Sequence, residues 1–393
     1  MKEARVFIVY HPLITATFNL IADFVRKNCP QVDCVLIRAL HPYWKTVKLD
    51  RHISSFDLFL PLPDVGYRRN IIAGLIQAWQ FRREVRKISE MLQDRYSRID
   101  VYSDNSSYLP VNILLSHFYA SGSTDRIYRL ARTPQANFSH EPEDRLYSII
   151  TAIYCSVLKL FKVLAVRLPA VTSFIYADDN PIGEVIFESP YAPAEPEGSR
   201  EAGLTLPEPF LLLDRKPDTE RDTVVIFGGA NILQAFSQYI DDKEEYDKKL
   251  RLFFERIKSF YEGCTLLYKP HPADGGRLMS GVDPSEFTVY DEPQTAEMLL
   301  IDNLERIKAV YSFFSIASIS ASLMRIPSYH IFEYFMNAEG IKVLNEHARE
   351  GGWYSSPYLK KIKDPGGIGC IDSISIKTED EESWRERWRE FLK

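Results

Sequence analysis

The sequence predicts an α/β protein built from two Rossmann-like halves. Three observations carry that expectation. Short apolar runs alternate with helical patterns through the first third of the chain, the alternation restarts at Thr223, and a proline-rich stretch separates the two series. Parallel strands covered by helices on both faces read as continuous apolar runs, which is the pattern seen here. A chain of 393 residues has room for two or three domains.

The elements follow in order. Arg5–Tyr10 (RVFIVY) reads as a first buried strand, and Ile14–Lys27 as a helix. Asp33–Ile37 is a strand and Leu58–Leu62 another short apolar run. Ile71–Tyr96 is a long helical segment with Arg and Lys spaced along one face. Ile99–Tyr102 and Ile113–Tyr119 are read as strands, the second ending in Ala120-Ser121-Gly122. Glu188–Pro209 carries Pro190, Pro193, Pro196, Pro207 and Pro209 and reads as the linker. The second series has strands at Thr223–Phe227, Thr265–Tyr268, near Phe287–Tyr290, at Ala309–Ser312 and at Ser328–Ile331. Helices are expected at Lys243–Tyr261 and Ser315–Met324. The tail, Glu381–Leu392, places Trp384, Trp388 and Phe391 on one helical face, which suits packing at a domain junction. The expected division is 1–205, 206–380 and a terminal helix at 381–393. Two Rossmann-like halves around a proline-rich linker suggest the GT-B architecture, with an interdomain cleft for both substrates.

Composition narrows the function. A net charge of −6 argues against a nucleic-acid binder. The five cysteines are scattered and form neither a disulfide framework nor a zinc pattern, which suits a reducing compartment. The N-terminus reads as a strand rather than a leader, so a cytoplasmic protein is expected. Leu146–Val166 is long and apolar but carries Lys159 and Lys162. It is read as a buried helix, with a helix lying on the inner face of the cytoplasmic membrane or a true span as the alternatives.

Three stretches carry the candidate chemistry. In Leu266–Pro272 (LLYKPHP) an apolar strand runs into Lys269-Pro270-His271-Pro272. Prolines stiffen the loop around one imidazole, and a fixed His271 can donate to a phosphate oxygen as the sugar–phosphate bond breaks. Lys269 adds positive charge. In Val310–Ser322 a strand enters a helix opening at Ser315, with Ser318 one turn on. Free N–H groups and hydroxyls at a helix start bind anions. An ordinary N-cap serine is the competing reading. Gly228-Gly229 follows Thr223–Phe227 and permits close backbone approach. The three fall at roughly the first, third and fifth strand ends of one sheet. The sequence has no GxxxxGK[ST], GxGxxG or HExxH motif and no clustered Asp/His set, so a metal-independent transferase without cofactor is expected.

On these residues the chain resembles bacterial sialyltransferases, in particular the lipooligosaccharide sialyltransferase family. His271-Pro272 and Ser315–Ser318 match that family's His-Pro and serine motifs in order and spacing. His11-Pro12-Leu13-Ile14 after the first strand and Ser173–Tyr176 are similar too. The resemblance implies the GT-B fold and a CMP-sugar donor held by Lys269, His271, Pro272, Gly228, Gly229, Ser315 and Ser318. It implies transfer of sialic acid or a related keto-sugar to a cell-surface glycan. His11 and His117 would face the acceptor. The family's acidic motif corresponds here to Ala120-Ser121-Gly122, which holds no carboxylate. Asp125 is the nearest acid and the expected general base, with His117 and Asp104 as rivals; Asp178-Asp179 falls too late. A CDP-glycerol-type polyol-phosphate transferase and a non-catalytic nucleotide- or glycan-binding relative remain alternatives.

Overall fold

The computed structural model describes residues 2–9, 12–39, 53, 55–62, 71–103, 111, 113–115, 117–118, 126–131, 183–188, 204–213, 220–229, 237–271, 274–292, 294–313, 315, 317–343, 360–369 and 381–393. The chain divides into two compact units. The first comprises Met1–Glu188, Arg200–Pro209 and Arg385–Lys393, and the second Ser189–Ser199 and Phe210–Trp384.

The first unit is organised by a seven-stranded parallel sheet. Its strands are β1 (Lys2–Val9), β2 (Val32–Arg38), β3 (Leu58–Pro61), β4 (Tyr96–Ser103), β5 (Arg126–Ala131), β6 (Gly183–Glu188) and β7 (Leu204–Pro207). Their order is β3-β2-β1-β4-β5-β6-β7, so the winding reverses at β1. That is the switch point at which open α/β sheets form their crevice. Every residue from Ala4 to Val9 is buried, as a central parallel strand requires. Helix α1 (Pro12–Asn28) returns the chain from β1 to β2, and α2 (Ile71–Arg95) leads into β4. Ala78, Phe81, Val85 and Leu92 of α2 are buried in one core with Val6, Ile8, Val35 and Val101.

This sheet also buries charge. Arg5, 1% exposed, lies 3.2 Å from the Asp100 carboxylate and donates at 2.8 Å to the carbonyl of Leu392. The acceptor is the end of helix α7 (Glu381–Leu392), where carbonyls lack intrahelical donors. Trp388 of α7 is fully buried and its indole N–H donates to the Pro207 carbonyl at 3.0 Å. Phe391 packs edge-on against Tyr102 and Tyr128. The tail from Arg385 onward is therefore part of the first unit, although the chain reaches it from the second.

Three sequence expectations change. Residues 113–115 and 117–118, expected within the strand Ile113–Tyr119, are helical, as is residue 111. Val111, Leu114, Leu115 and Phe118 are all buried at spacings of three and four, which is one face of a helix. The proline-rich stretch is not linker throughout, because it contains β7. Prolines are tolerated there because β7 is an edge strand. Strands β5 and β6 extend the sheet beyond the expected run.

The second unit holds a six-stranded parallel sheet of order β10-β9-β8-β11-β12-β13. Its strands are β8 (Thr223–Phe227), β9 (Thr265–Lys269), β10 (Thr288–Val289), β11 (Ile307–Ser312), β12 (Ser328–His330) and β13 (Lys360–Lys361). Helix α3 (Lys243–Phe260) begins at Asp242, whose carboxylate accepts from the N–H of Glu244 at 2.7 Å. It buries Leu250, Phe253, Phe254 and Ile257. Phe253 and Phe254 meet Phe313 beyond the end of β11. Helix α4 (Ala296–Asp302) precedes β11, α5 (Ala317–Leu323) follows it, and α6 (Phe332–Phe335) follows β12. Every residue of α5 is buried, which explains its alanines and serines. Among the described residues no helix is long and apolar enough to cross a membrane. Leu146–Val166 lies outside them.

Candidate functional site

The three stretches singled out in the sequence close on the ends of three adjacent strands. They follow β8, β9 and β11, which are first, second and fourth in chain order rather than first, third and fifth. In the sheet these strands are consecutive, with β8 central, and all run parallel. Their C-terminal ends therefore lie on one edge. Backbone pairing continues past the strands: Gly228 N–H donates to the Lys269 carbonyl at 2.9 Å, and Phe313 N–H to the Phe227 carbonyl at 3.2 Å. Two inter-strand spacings separate the loop after β9 from the loop after β11, about 10 Å.

The loop after β9 is built around His271 and Asp274. The Asp274 carboxylate, 2% exposed, accepts from the His271 N–H at 3.1 Å. The His271 carbonyl accepts in return from the Asp274 N–H at 2.8 Å. This reciprocal pair holds a tight turn. Burial lowers the pKa of the half-buried imidazole; Lys269 lowers it further and Asp274 opposes both. His271 is thus pushed toward its neutral form, which offers a single N–H.

Lys269 is 6% exposed at the last position of β9. Its ammonium lies 5.1 Å from the centroid of Tyr290 and donates to the Glu292 carbonyl at 3.4 Å. Burial pushes its pKa down to about 8, against the pull of Glu297 and Glu292. Lys269 remains mainly charged at pH 7 and supplies a desolvated positive charge at this edge. The supporting groups form a chain. Tyr290 donates to the Gln294 side chain, and Gln294 donates to Asp302 at 2.6 Å. Thr295 caps α4.

Gly228 answers to packing. A β-carbon there would run into the Tyr268 phenol, which is fully buried and accepts from the Met279 N–H at 3.4 Å. Gly229 is buried beside it.

The loop after β11 is pinned through one carbonyl. The Ser315 carbonyl accepts from the Ser318 N–H at 3.2 Å, the Ser318 hydroxyl at 2.9 Å and His330 Nε2 at 2.9 Å. A carbonyl only accepts, so His330 carries its proton on Nε2. His330 ends β12, is fully buried, and burial pushes its pKa down to about 4. The Ser315 hydroxyl accepts from the Ala317 N–H at 3.2 Å, so Ser315 caps a helix that starts at Ala317. Ser318 is 2% exposed and its proton is committed to Ser315.

The sheet has a solved counterpart. The glycosyltransferase of kitacinnamycin superposes on 100% of this chain and 95% of its own, with a TM-score of 0.50 and 10% identity. This chain has the same fold. It is the two-domain, Rossmann-like GT-B class. More distant are a putative UDP-N-acetylglucosamine 2-epimerase from Listeria monocytogenes (TM-score 0.45, 12% identity, 99% of this chain and 91% of that one) and a sialyltransferase GT-B domain from Photobacterium damselae (0.44, 12%, 91% and 98%). No protein-family profile and no curated sequence matches the chain.

Of the predicted site residues, Lys269, His271, Gly228, Gly229, Ser315 and Ser318 share the edge formed by β8, β9 and β11. His117 belongs to the first unit and is helical and half-buried; burial lowers its pKa, with Arg82 and Arg86 adding to the effect. His11, Asp104, Asp125, Pro272, Ala120–Gly122, Ser173–Tyr176 and Asp178-Asp179 lie outside the described residues. Sequence reasoning missed Asp274, which holds the His271 loop, and His330, which holds the Ser315 loop. Asp274 was within reach as the acid three residues after His271. His330 carried no signal, because its role depends on β12 lying beside β11.

Proposed function

We propose that the chain is an inverting, metal-independent glycosyltransferase that takes sialic acid or a related keto-sugar from a CMP-linked donor and passes it to a cell-surface glycan. The observation that carries this reading is the meeting of the β8, β9 and β11 C-terminal ends on one edge, with His271 and Lys269 at the end of β9. Strand ends of this kind are where open α/β sheets bind ligands. The likeness to a glycosyltransferase fold supports the class. One ammonium and one neutral imidazole match the single negative charge of the CMP phosphate better than the two charges of a diphosphate.

In the proposed reaction the acceptor hydroxyl attacks the anomeric carbon from the face opposite the phosphate. The new C–O bond forms as the bond to the phosphate oxygen breaks, and the proton passes to a base. Asp125 is the first candidate for that base and His117 the second. CMP leaves with one more negative charge, which the His271 N–H and the Lys269 ammonium stabilise more strongly than they do the bound donor. The Ser315 loop, fixed by His330, faces the same phosphate from the β11 side. The reaction belongs on the cytoplasmic side of the membrane, where nucleotide sugars are made.

A thermal-shift screen with CMP, CDP, UDP and GDP tests the donor. A ligand bound only by the folded chain raises its melting temperature. The proposal expects CMP to give the largest rise. A rise with UDP or GDP but none with CMP refutes it, and a rise confined to CDP moves the reading to polyol-phosphate transfer.

A further inference from the structure

Helix α2 presents an unusual outer face. Its inner face, with Ala78, Phe81, Val85 and Leu92, belongs to the first core. An α-helix advances about 100° per residue, so Ile72, Ile76 and Trp79 fall on the opposite side. They are 71%, 54% and 61% exposed, where a surface helix ordinarily carries polar residues. The same outward stripe continues through Arg83, Arg86 and Lys87, all exposed. Between residues 82 and 90 there are four basic and two acidic side chains. Arg86 pairs with Glu90 and Lys87 with Glu84, both at 2.7 Å and both in solvent, where such pairs are weak and exchangeable.

We propose that this face of α2 docks on an anionic lipid surface. Tryptophan favours the boundary between headgroups and acyl chains, and the two isoleucines add apolar area beside it. The basic segment follows directly along the helix, so it lies at the headgroups when Trp79 is inserted. Charge decides between lipid and protein occupants. A second copy on the same face would set one basic segment against the other, whereas an anionic bilayer complements it. A patch within a Debye length of an anionic bilayer, about 8 Å at physiological salt, responds mainly to its own charge. The inference is independent of the donor chemistry.

Co-sedimentation of the full chain with vesicles tests it, comparing pure phosphatidylcholine with a phosphatidylglycerol mixture. The expected result is binding to the anionic vesicles at least tenfold stronger than to the neutral ones, weakened by salt. I76S/W79S abolishes the binding, and R83E/R86E weakens it about tenfold while the circular dichroism spectrum is unchanged. Both pairs are exposed, so the fold is expected to tolerate them. Absence of binding to anionic vesicles overturns the proposal, as does binding that neither pair reduces. A wild-type dimer in sedimentation velocity that I76S/W79S converts to monomer also overturns it, in favour of a second copy on this face.

Discussion

Lowering the pH from ~7.5 to ~5 is expected to cost the folded chain stability through His330 in particular. The imidazole is neutral in the fold because burial pushes its pKa from 6.5 down to about 4. In the unfolded chain it is free to take a proton near 6.5. The unfolded state therefore binds more protons between these values, and stability falls as the pH drops. The contribution is complete above about 6.5, declines through the window toward 4 and changes no further below it. At pH ~5 the unfolded imidazole is almost fully protonated and the folded one almost fully neutral, so linkage gives a loss of about 2 kcal/mol. Urea unfolding at the two pH values, run in parallel on His330→Gln, measures it. Glutamine can keep a donor near the Ser315 carbonyl but does not titrate, and other groups titrate alike in both proteins. The wild type should lose about 2 kcal/mol more than the variant. Parallel pH profiles would show that His330 is not held neutral and that the reasoning from its burial fails.

Other perturbations test the packing and the site. Trp388→Ala removes a fully buried indole and its bond to Pro207, and should destabilise the first unit by about 3–5 kcal/mol in chemical denaturation; a cost under about 1 kcal/mol would mean that α7 does not close this sheet. Gly228→Ala drives a β-carbon into Tyr268, so Gly228→Ala and Tyr268→Leu should couple by about 1–2 kcal/mol, the double variant being less unstable than the two losses summed; strict additivity would rule out that contact. Lys269 loses its proton near pH 8, so CMP affinity should fall severalfold between pH ~7 and ~9.5 and stay level in Lys269→Met. A profile unaltered by the substitution would detach Lys269 from phosphate binding.

What was legible in the sequence depended on how completely each segment was buried. Strands β1, β2, β8, β9 and β11 each contain an uninterrupted apolar run, and their bounds were found to within a few residues. β5 was missed because Arg126 and Arg129 interrupt its six residues. β7 was missed because its four residues sit among prolines, which an edge strand accepts. The 111–118 segment was misread because a buried helix and a buried strand are equally apolar. Only the spacing of Val111, Leu114, Leu115 and Phe118 separates them. At the site, Lys269, His271 and Ser315 were visible because each follows an apolar run. Their supports were not, because Asp274 acts through a local turn and His330 through a neighbouring strand.

In the proposed donor site His271 meets the phosphate of a cytidine nucleotide. Calorimetric titration of CMP and of cytidine into the wild type and His271→Ala tests it most directly, since the two ligands differ only in that phosphate. The substitution is expected to weaken CMP at least tenfold and to leave cytidine unchanged. Equal CMP affinity in the two proteins, or an equal loss for both ligands with the fold intact, would contradict it.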